Sequence, residues 1–436
     1  MLKSNNCQNK KIKLLLVTYF FPPLNNVSSL RTYAMAKYLA LYGYGVTVLT
    51  VEKTIQDNNL KINLKKEQFK TIEVPLQKKD GKSHLSTSEP SNKNIKSNII
   101  NQFKTIKRII LGNLFSSSDR WYFKAIKTAK ELVKNTEFDV LISSHSPITS
   151  HLIAKKIKQI NSSIYWLADY RDLWFGNHFG SNPIMPLNLI QKKIERNINA
   201  SADSLITVSK PLKEELTTRG KNKVLVIENG YFAEDVKSEV QDDCDDEIIR
   251  IVYTGVYYPE KYNSKPLFLA VKNLLDQNIL SESKIKIQFY GENSLYAKQP
   301  IKSTELSEEI VEVFDRISRE EVLEIQRKAT ILLFIGHESP ETKGVLTGKL
   351  FEYMIANKPI LAIGISTDNA AGNLIIISKT GYVCGDDVDK IADAIKKVLN
   401  KDPFQPNHDV ISYYRRDKTI ARLADHIKSQ LKERKS

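Results

Sequence analysis

Residues 344–353 read Gly-Val-Leu-Thr-Gly-Lys-Leu-Phe-Glu-Tyr and open a short helical pattern. Gly344, Thr347 and Gly348 stand before or at the helix start, so backbone N–H groups there would face outward, where the helix dipole favours a phosphate. Glu352 follows about one helical turn later, a distance suited to hydroxyl groups of a molecule whose phosphates lie at the helix start. The stretch therefore predicts a nucleotide site, or else an ordinary loop–helix–strand unit of an α/β domain.

The next residues bound this unit. Asn357 is expected to end the helix in a left-handed conformation, and Pro359 opens an apolar run with the length of a buried strand. Strands and helices alternate in the same way in both halves of the chain. The pattern therefore predicts two doubly wound α/β domains.

The length and composition are typical of a two-domain globular protein. The chain has 436 residues, of which 41% are hydrophobic and 26% charged, and no apolar run approaches the roughly 20 residues of a spanning helix. The first ten residues are polar, and the cysteines Cys7, Cys244 and Cys384 show no metal-ligand spacing. We therefore expect a cytoplasmic protein with reduced thiols and no bound metal.

The charge of the chain is uneven. The net charge of +15 divides into +18 for residues 1–200 and −3 for the remainder. A basic half indicates an anionic partner, which could be membrane lipid, a lipid-linked phosphate or nucleic acid. A general enrichment in lysine would also explain the charge. No basic motif interleaved with aromatic residues accompanies it, so nucleic acid is not expected.

Two neighbouring segments of the first half differ in pattern. Residues 52–98 are polar, Lys-rich and poor in periodicity, which predicts a mobile insertion. Residues 95–115 have an apolar face with a basic flank. Such a helix either packs its apolar face into the domain core or lies in a membrane interface beside anionic headgroups. Both interpretations stay open at this point.

Two predicted strands end in polar side chains. His145 follows the strand at 138–144. The strand at 164–168 is followed by charged and aromatic residues: Asp169, Arg171, Asp172 and Trp174. Ligands bind at the carboxyl ends of parallel strands, and carboxylates beside a ring face would orient a sugar. The alternatives are a solvated histidine and an Arg–Asp ion pair that shapes the loop.

The second half begins with a strand at 248–254 that ends in Gly255, which lets the chain turn closely past a phosphate. The acidic run before this strand predicts a linker. The predicted division of the chain is a first domain at 1–240, a linker at 241–247, a second domain at 248–409 and a helix at 410–436.

The chain resembles glycosyltransferase family 4 and its relatives, two-domain enzymes of the GT-B fold. The residues Lys-Leu-Phe-Glu-Tyr at 349–353 and Ala-Asn-Lys-Pro-Ile at 356–360 are similar to the donor-site signature of that family. The resemblance extends to Asp-Tyr-Arg-Asp-Leu-Trp at 169–174 and to Ile-Glu-Asn-Gly at 227–230. It covers nearly the whole chain except residues 52–115.

This resemblance implies two Rossmann-like domains facing a cleft, with the last helix crossing back to the first domain. It implies transfer of a sugar from a nucleotide-sugar donor to a saccharide acceptor, expected to be lipid-linked, in cell-surface polysaccharide assembly. The reaction would be retaining and would need no metal or cofactor, because helix amides and a lysine would stabilise the leaving phosphates. Peripheral contact with an anionic membrane is a further expectation. A nucleotide-sugar epimerase and a non-catalytic nucleotide-sugar-binding protein are the alternatives.

The resemblance also assigns residues to roles. Glu352 would bind the ribose of the donor. Family members carry a Glu at the position of Gly344 and an Arg at that of Val256, which leaves Lys265 as the better-matched lysine for the phosphates. The remaining donor-binding positions are Gly255, Thr347, Gly348 and Lys349. The positions expected to be catalytic are His145, Asp169, Arg171 and Asp172. Those expected to bind the acceptor are Ser28, Arg31 and Trp174.

Overall fold

The computed structural model describes residues 11–54, 60, 62–76, 114, 117–177, 183–220, 223–236 and 248–436. The chain divides into two compact units. Unit 1 consists of the chain up to Thr207, of Leu212–Val226 and of Leu423–Ser436, whereas unit 2 consists of Val208–Pro211 and Ile227–Arg422.

Unit 1 is built on a seven-stranded parallel sheet in the order β3-β2-β1-β4-β5-β6-β7. Its strands are β1 Lys13–Thr18, β2 Gly45–Val51, β3 Lys70–Val74, β4 Val140–Ser144, β5 Tyr165–Arg171, β6 Ser204–Thr207 and β7 Lys223–Val226. Its helices are α1 Val27–Leu41, α2 Tyr122–Asn135, α3 Thr149–Ile160, α4 Leu187–Ser201 and α5 Lys210–Thr218. A strand in the middle of such a sheet is buried on both faces, so its sequence is a continuous apolar run, as in β1.

Unit 2 is built on a six-stranded parallel sheet in the order β10-β9-β8-β11-β12-β13. Its strands are β8 Ile249–Thr254, β9 Ile285–Tyr290, β10 Val311–Phe314, β11 Ile331–Ile335, β12 Ile360–Ile363 and β13 Gly381–Gly385. The remaining helices along the chain are α6 Lys265–Asp276, α7 Ser294–Ala297, α8 Arg319–Lys328, α9 Gly348–Ile355, α10 Ala370–Ile377, α11 Val388–Leu399, α12 His408–Tyr413 and α13 Arg416–Glu433. The last of these begins in unit 2 and ends in unit 1.

Apolar side chains of both sheet faces form the core of unit 2. One cluster joins α6 and α11 to the sheet and contains Phe268, Phe289 and Ile391, all fully buried. The other joins α9 and α10 to the sheet and contains Leu350, Phe351 and Tyr353, also fully buried. Helix α9 is therefore fixed along the sheet by its apolar face.

Both sheets reverse their direction of winding once. In unit 1 the chain winds outward from β1 to β3 and then continues from β4, which pairs with β1 on its other side. In unit 2 the same reversal places β11 beside β8. The crevice outside the carboxyl ends of two such strands is the usual ligand site of doubly wound sheets.

The structure confirms the predicted fold class, two doubly wound α/β domains. It also confirms the predicted end of α9, because Asn357 has a φ of 55° directly after the helix. The residues predicted as an amphipathic helix at 95–115 lie outside the described residues, apart from Leu114, and so does the predicted linker at 241–247.

Two predictions about local structure were wrong. Part of the supposed insertion at 52–98 forms β3, because its backbone pairs with β2 and an edge strand tolerates polar side chains. The predicted single helix at 410–436 is two helices, α12 and α13. Its interruption follows from a backbone bridge, in which Tyr231 donates to the Tyr414 carbonyl at 3.2 Å and accepts from the Arg416 N–H at 2.9 Å.

Candidate functional site

The reversal point of unit 2 begins with a tight turn after β8. Gly255 has a φ of +122°, a conformation that favours glycine, and its N–H donates to the Tyr290 carbonyl at 2.9 Å. Gly291, after β9, has a φ of +135°, and a Cβ there would clash with the Gly255 carbonyl. The two strand ends therefore pack so closely that both positions require glycine.

Helix α9 is anchored at this turn by Tyr353. The Thr254 N–H, at the end of β8, donates to the Tyr353 hydroxyl at 2.9 Å. The Gln326 side-chain amide donates to the Thr254 hydroxyl at 2.9 Å and ties α8 to the same point. These bonds fix α9 beside the carboxyl end of β8, and the use of its start as a phosphate site stays a prediction.

Lys349 lies one helical turn before Tyr353 on the same side of α9. Its Nζ donates to the Tyr253 hydroxyl at 2.7 Å and lies 4.0 Å from the centre of that ring. A Cβ on Gly255 would lie 3.3 Å from the same nitrogen. Burial lowers the pKa of Lys349 to about 7, and the nearby Glu352 carboxylate only partly opposes this shift.

Glu352 is held by charged and polar neighbours in unit 2. Its Oε1 lies 3.6 Å from an Arg319 nitrogen, and Arg319 also donates two hydrogen bonds, at 2.8 and 2.6 Å, to Asp235. Burial raises the pKa of the Glu352 carboxyl, and the charge of Arg319 opposes this shift. Glu352 is thus a largely buried carboxyl with a preset orientation.

The four residues directly before α9, at 344–347, carry no charged side chain. Thr347 is the N-cap residue of α9, but its side chain makes no capping hydrogen bond, and its buried hydroxyl oxygen has no partner within the described residues. Asn229 donates to the Leu346 carbonyl at 3.3 Å and so holds the loop. Gly344 and Gly348 are buried and contribute no side chain.

Lys265 differs from Lys349 in its surroundings. It is the first residue of α6, its side chain is exposed, and its backbone N–H donates to Asn263 Oδ1 at 3.0 Å. The cation that the structure places against Gly255 is therefore Lys349, although the sequence resemblance favoured Lys265.

At the reversal point of unit 1, Arg31 and Asp169 form a buried ion pair. Arg31 donates from Nε and from a terminal nitrogen to the two carboxylate oxygens at 3.0 and 2.8 Å, and Ser144 donates to Asp169 Oδ2 at 2.8 Å. Both side chains are at most 2% exposed. The pair joins α1 to β5, and its arginine comes from outside the 169–174 cluster.

Arg171 and Asp172 form a second pair beside the first. The Arg171 Nε donates to Asp172 Oδ2 at 2.8 Å, and another guanidinium nitrogen donates to the Ser28 hydroxyl. Arg171 has a φ of 52°, which turns the chain sharply at the end of β5. Both charged side chains are slightly exposed, unlike Asp169.

His145 follows β4 and lies among these charges. It is buried, and its N–H donates to the Asp169 carbonyl at 2.9 Å. Burial and the positive charge of Arg171 lower its pKa to about 4. His145 is therefore neutral at physiological pH, because its protonated form would be a charge in a buried site.

Trp174 does not occupy the position expected of a sugar-binding ring. It is 3% exposed, and its carbonyl accepts from the Gln191 side chain at 3.2 Å. The ring is thus buried within unit 1, and the assignment of Trp174 to the acceptor site stays a prediction. Ser28, Arg31, Asp169, Arg171 and His145 do lie together around the ends of β4 and β5 and the start of α1.

Comparison with known proteins agrees with this architecture. Residues 249–401 match the family "Glycosyl transferases group 1". The chain aligns with sucrose-phosphate synthase from Thermosynechococcus elongatus over 97% of this chain and 100% of that one, with 12% identity and a TM-score of 0.65. The chain is a GT-B protein. Its second unit carries the group 1 glycosyl transferase match.

Two further solved structures share the GT-B architecture of this protein. WaaG, a glycosyltransferase involved in lipopolysaccharide biosynthesis, aligns with 13% identity over 95% of this chain and 99% of that one, with a TM-score of 0.54. A putative UDP-N-acetylglucosamine 2-epimerase from Listeria monocytogenes aligns with 12% identity over 97% of each chain, with a TM-score of 0.53. At these identities the likeness extends to the fold alone. No curated protein sequence matches this GT-B protein.

Sequence reasoning missed the residues that orient the predicted ones. Arg319 and Asp235 hold Glu352, and Tyr253 and Tyr353 hold Lys349 and α9. A tyrosine at the last positions of a strand before glycine is a signal that could have indicated Tyr253. Arg319 and Asp235 are distant in sequence from Glu352, and no local pattern connects them. Among the helices that are described, none is long and apolar enough to span a membrane.

Proposed function

We propose that this protein is a glycosyltransferase that moves a sugar from a nucleotide-sugar donor to a saccharide acceptor. The observation that carries the proposal is the position of α9 at the reversal point of the unit 2 sheet, with Thr347 and Lys349 at its start and Glu352 about one turn later. The match of residues 249–401 to a glycosyl transferase family supports the same function.

Each of these groups would bind one part of a nucleotide sugar. Glu352 would accept hydrogen bonds from the ribose hydroxyls, because its carboxylate is oriented by Arg319. The N–H groups at the start of α9 would stabilise the negative charge that develops on the leaving diphosphate. No step in this proposal needs a metal ion, and the absence of a metal stays a prediction.

A calorimetric panel tests the donor part of the proposal. We expect the protein to bind at least one of uridine, guanosine and thymidine diphosphate, and to hydrolyse slowly the sugar nucleotide of the same base. Failure to bind any of the three would contradict the enzyme interpretation. Analysis of the product anomer by NMR would test the retaining stereochemistry that the family resemblance implies.

We propose that the acceptor is a lipid-linked saccharide at an anionic membrane, as in surface polysaccharide assembly. A basic layer of helices in unit 1 supports this. Helix α3 packs against both α2 and α4, and the three helices carry ten Lys and Arg residues against two Glu. One of these acids, Glu195, is buried and paired with Arg219 at 3.0 Å.

Exposed apolar side chains accompany this basic layer. Phe123, near the start of α2, and Met185 and Leu189, around the start of α4, are 67%, 63% and 53% exposed. Helices that follow parallel strands start at the carboxyl edge of the sheet, the edge where His145 and Arg171 lie. Apolar side chains beside basic ones are the pattern that binds a membrane interface.

Vesicle binding tests the membrane part of the proposal. We expect the protein to sediment with vesicles that contain phosphatidylglycerol but not with pure phosphatidylcholine. Replacing Lys193 and Arg196 by Glu should weaken binding at least about fivefold per charge, whereas Lys390→Glu, an exposed change in unit 2, should not. Equal sedimentation of all three proteins would contradict it.

The epimerase alternative makes a different prediction. An epimerase would interconvert two nucleotide sugars without any acceptor. A putative UDP-N-acetylglucosamine 2-epimerase has a similar fold, so this activity is tested as well. Acceptor-free conversion to an isomeric nucleotide sugar would favour it. Nucleotide binding without turnover of any donor would favour a non-catalytic binding protein.

A further inference from the structure

A buried chain of hydrogen bonds lies close to His145 in unit 1. The Trp166 indole N–H donates to the Ser143 hydroxyl oxygen at 2.8 Å, and the same oxygen lies 2.7 Å from His151 Nδ1. These three side chains are fully buried. Ser143 belongs to β4, Trp166 to β5 and His151 to the buried face of α3. The chain therefore ties α3 to the two strands whose ends carry His145 and Arg171.

The chemistry of this chain assigns the hydrogen of the His151 ring. An indole nitrogen only donates, so Ser143 Oγ accepts from Trp166. Among the residues that the structure describes, His151 Nδ1 is the one acceptor left for the Ser143 hydroxyl hydrogen. Burial keeps His151 neutral by lowering its pKa well below the ordinary value. A neutral imidazole that accepts at Nδ1 carries its hydrogen on Nε2.

His151 Nε2 and two neighbouring polar atoms have no hydrogen-bond partner within the described residues. The other two are His145 Nδ1 and the Tyr170 hydroxyl oxygen, and all three are buried. The three rings are mutual neighbours. The centre of the His151 ring lies 6.0 Å from that of His145 and 4.7 Å from that of Tyr170, and the last two are 6.1 Å apart. Buried polar groups in folded proteins nearly always reach a partner or an internal water.

We propose that one internal water molecule accepts a hydrogen bond from His151 Nε2–H and donates one to His145 Nδ1, so that His151 is a positioning residue for His145. Two hydrogen bonds through one water hold two nitrogens about 5–6 Å apart, which suits rings whose centres are 6.0 Å apart. The Tyr170 hydroxyl would be a further partner, and an internal water typically has about three.

This arrangement fixes the tautomer of His145. When His145 accepts at Nδ1, its ring hydrogen is on Nε2. Burial lowers the pKa of His145, and a hydrogen bond with the Tyr170 backbone opposes that shift. A hydrogen bond that favours the protonated ring has His145 as its donor, in agreement with a hydrogen on Nε2. The consequence for sugar transfer rests on the proposed function: His145 would donate a hydrogen bond to a substrate oxygen from Nε2 and would not remove a proton there.

Nitrogen NMR of protein with labelled histidines tests the inference. The shifts of the two ring nitrogens show which one carries the hydrogen, and His145→Gln identifies the signals of His145. We expect wild type at pH 7 to carry the hydrogen on Nε2 of both His145 and His151. His151→Leu should lower the preference of His145 for this tautomer by about 2- to 10-fold, the loss of one hydrogen bond. His408→Leu, an exposed change in unit 2, should leave the preference unchanged.

A conservative variant separates positioning from packing. In His151→Gln the amide oxygen can accept from Ser143 and the amide nitrogen can donate to the water, so His145 should keep the tautomer of wild type. His151→Leu has neither group. An unchanged His145 tautomer in His151→Leu, or the same loss in His151→Gln, would overturn the positioning role.

A second variant covers the case in which His151→Leu does not fold, as circular dichroism would show. Ser143→Ala removes the donor to His151 Nδ1 and leaves the His151 ring in place. We expect both His151 and His145 to lose their preference for a hydrogen on Nε2. If His145 keeps its tautomer while His151 loses its own, the coupling between the two rings is wrong.

The water itself can be observed in a crystal structure at a resolution that shows ordered water. We expect one water within hydrogen-bond distance of both His151 Nε2 and His145 Nδ1. A direct bond between the two nitrogens, or no water between them, would contradict the proposed bridge. None of these measurements contains a nucleotide or a saccharide. The inference can therefore fail while the proposed glycosyltransferase function holds, and a protein that binds no donor could still confirm it.

Discussion

Arg31 and Asp169 are joined by two hydrogen bonds, at 3.0 and 2.8 Å, in a part of unit 1 where neither side chain is more than 2% exposed. Ser144 donates to the same carboxylate. The oxygens of Asp169 are thus engaged by groups of its own unit. This residue, expected to be catalytic, first of all supports the structure that carries His145 and Arg171.

Asp169→Ala should therefore destabilise the protein strongly. The substitution removes the carboxylate that pairs with the buried Arg31 guanidinium, and breaking a buried ion pair in this way costs about 3–5 kcal/mol. Urea denaturation followed by tryptophan fluorescence would measure the change. Glu215→Gln, which alters a half-exposed pair on α5, should cost less than about 1 kcal/mol. Similar costs for the two variants would contradict the structural role of Asp169.

Glu352→Gln should weaken nucleoside binding while leaving the fold intact. The carboxylate would accept charge-assisted hydrogen bonds from the ribose, worth about 1.5–3 kcal/mol, or about 10- to 100-fold in affinity. Titration with the nucleoside of the preferred base measures this. The control is Glu324→Gln, an exposed change on α8. Unchanged affinity in Glu352→Gln would be incompatible with a ribose contact.

The affinity should also depend on pH through Glu352. Burial raises the pKa of this carboxyl above its ordinary value of 4.5. An ionised carboxylate accepts hydrogen bonds from hydroxyl groups through both oxygens, whereas protonation turns one oxygen into a donor and removes the charge that strengthens these bonds. Nucleoside affinity should therefore fall as the pH decreases toward the raised pKa, and Glu352→Gln should remove that dependence. An identical pH profile in the variant would argue against it.

Lys349→Met should stabilise the unliganded protein. The pKa of Lys349 is lowered from 10.5 to about 7 in the folded state, so between these values the unfolded chain binds more protons. Wild-type stability should therefore rise with pH across this window. The variant removes the cost of the buried charge, with a gain of up to about 5 kcal/mol below pH 7 that vanishes above pH ~10.5. Denaturation midpoints at pH 6 and pH 10 would show whether the gain shrinks as expected.

His145 should make the protein sensitive to acid. Its pKa falls from 6.5 to about 4 on folding, so between these values the unfolded chain binds the extra proton. The free energy of unfolding should drop by about 3 kcal/mol as the pH falls through this window. His145→Gln should lose this part of the slope. His151, whose pKa is also lowered by burial, would keep a residual slope. Equal slopes in both proteins would contradict the neutral state of His145.

The sequence predicted the elements that depend on local patterns. Apolar runs of strand length, such as β1 and β8, were found where the pattern placed them, because a strand in the middle of a parallel sheet must be apolar on both faces. The end of α9 at Asn357 was predictable from one residue that adopts positive φ easily. Strand β3 was missed because an edge strand with polar side chains has no such pattern.

The candidate site was predictable only in part. Glu352 and Lys349 lie in a recognisable motif, and His145 and Arg171 follow predicted strands. The structure shows that Asp169 pairs with Arg31, which the sequence did not indicate. An aspartate that binds a ligand and one that pairs with a buried arginine have the same local sequence pattern. Likewise, nothing in the sequence around Trp174 indicates that its ring is buried.

By itself the sequence determined two doubly wound domains and the motif around Glu352, because periodicity, glycine positions and turn residues act over a few neighbouring residues. Only the tertiary structure decided which groups surround that motif. Tyr253 is brought to Lys349 across 96 residues and Arg319 to Glu352 from another helix. These contacts depend on how strands and helices pack, and packing sets both the burial of Lys349 and the orientation of Glu352.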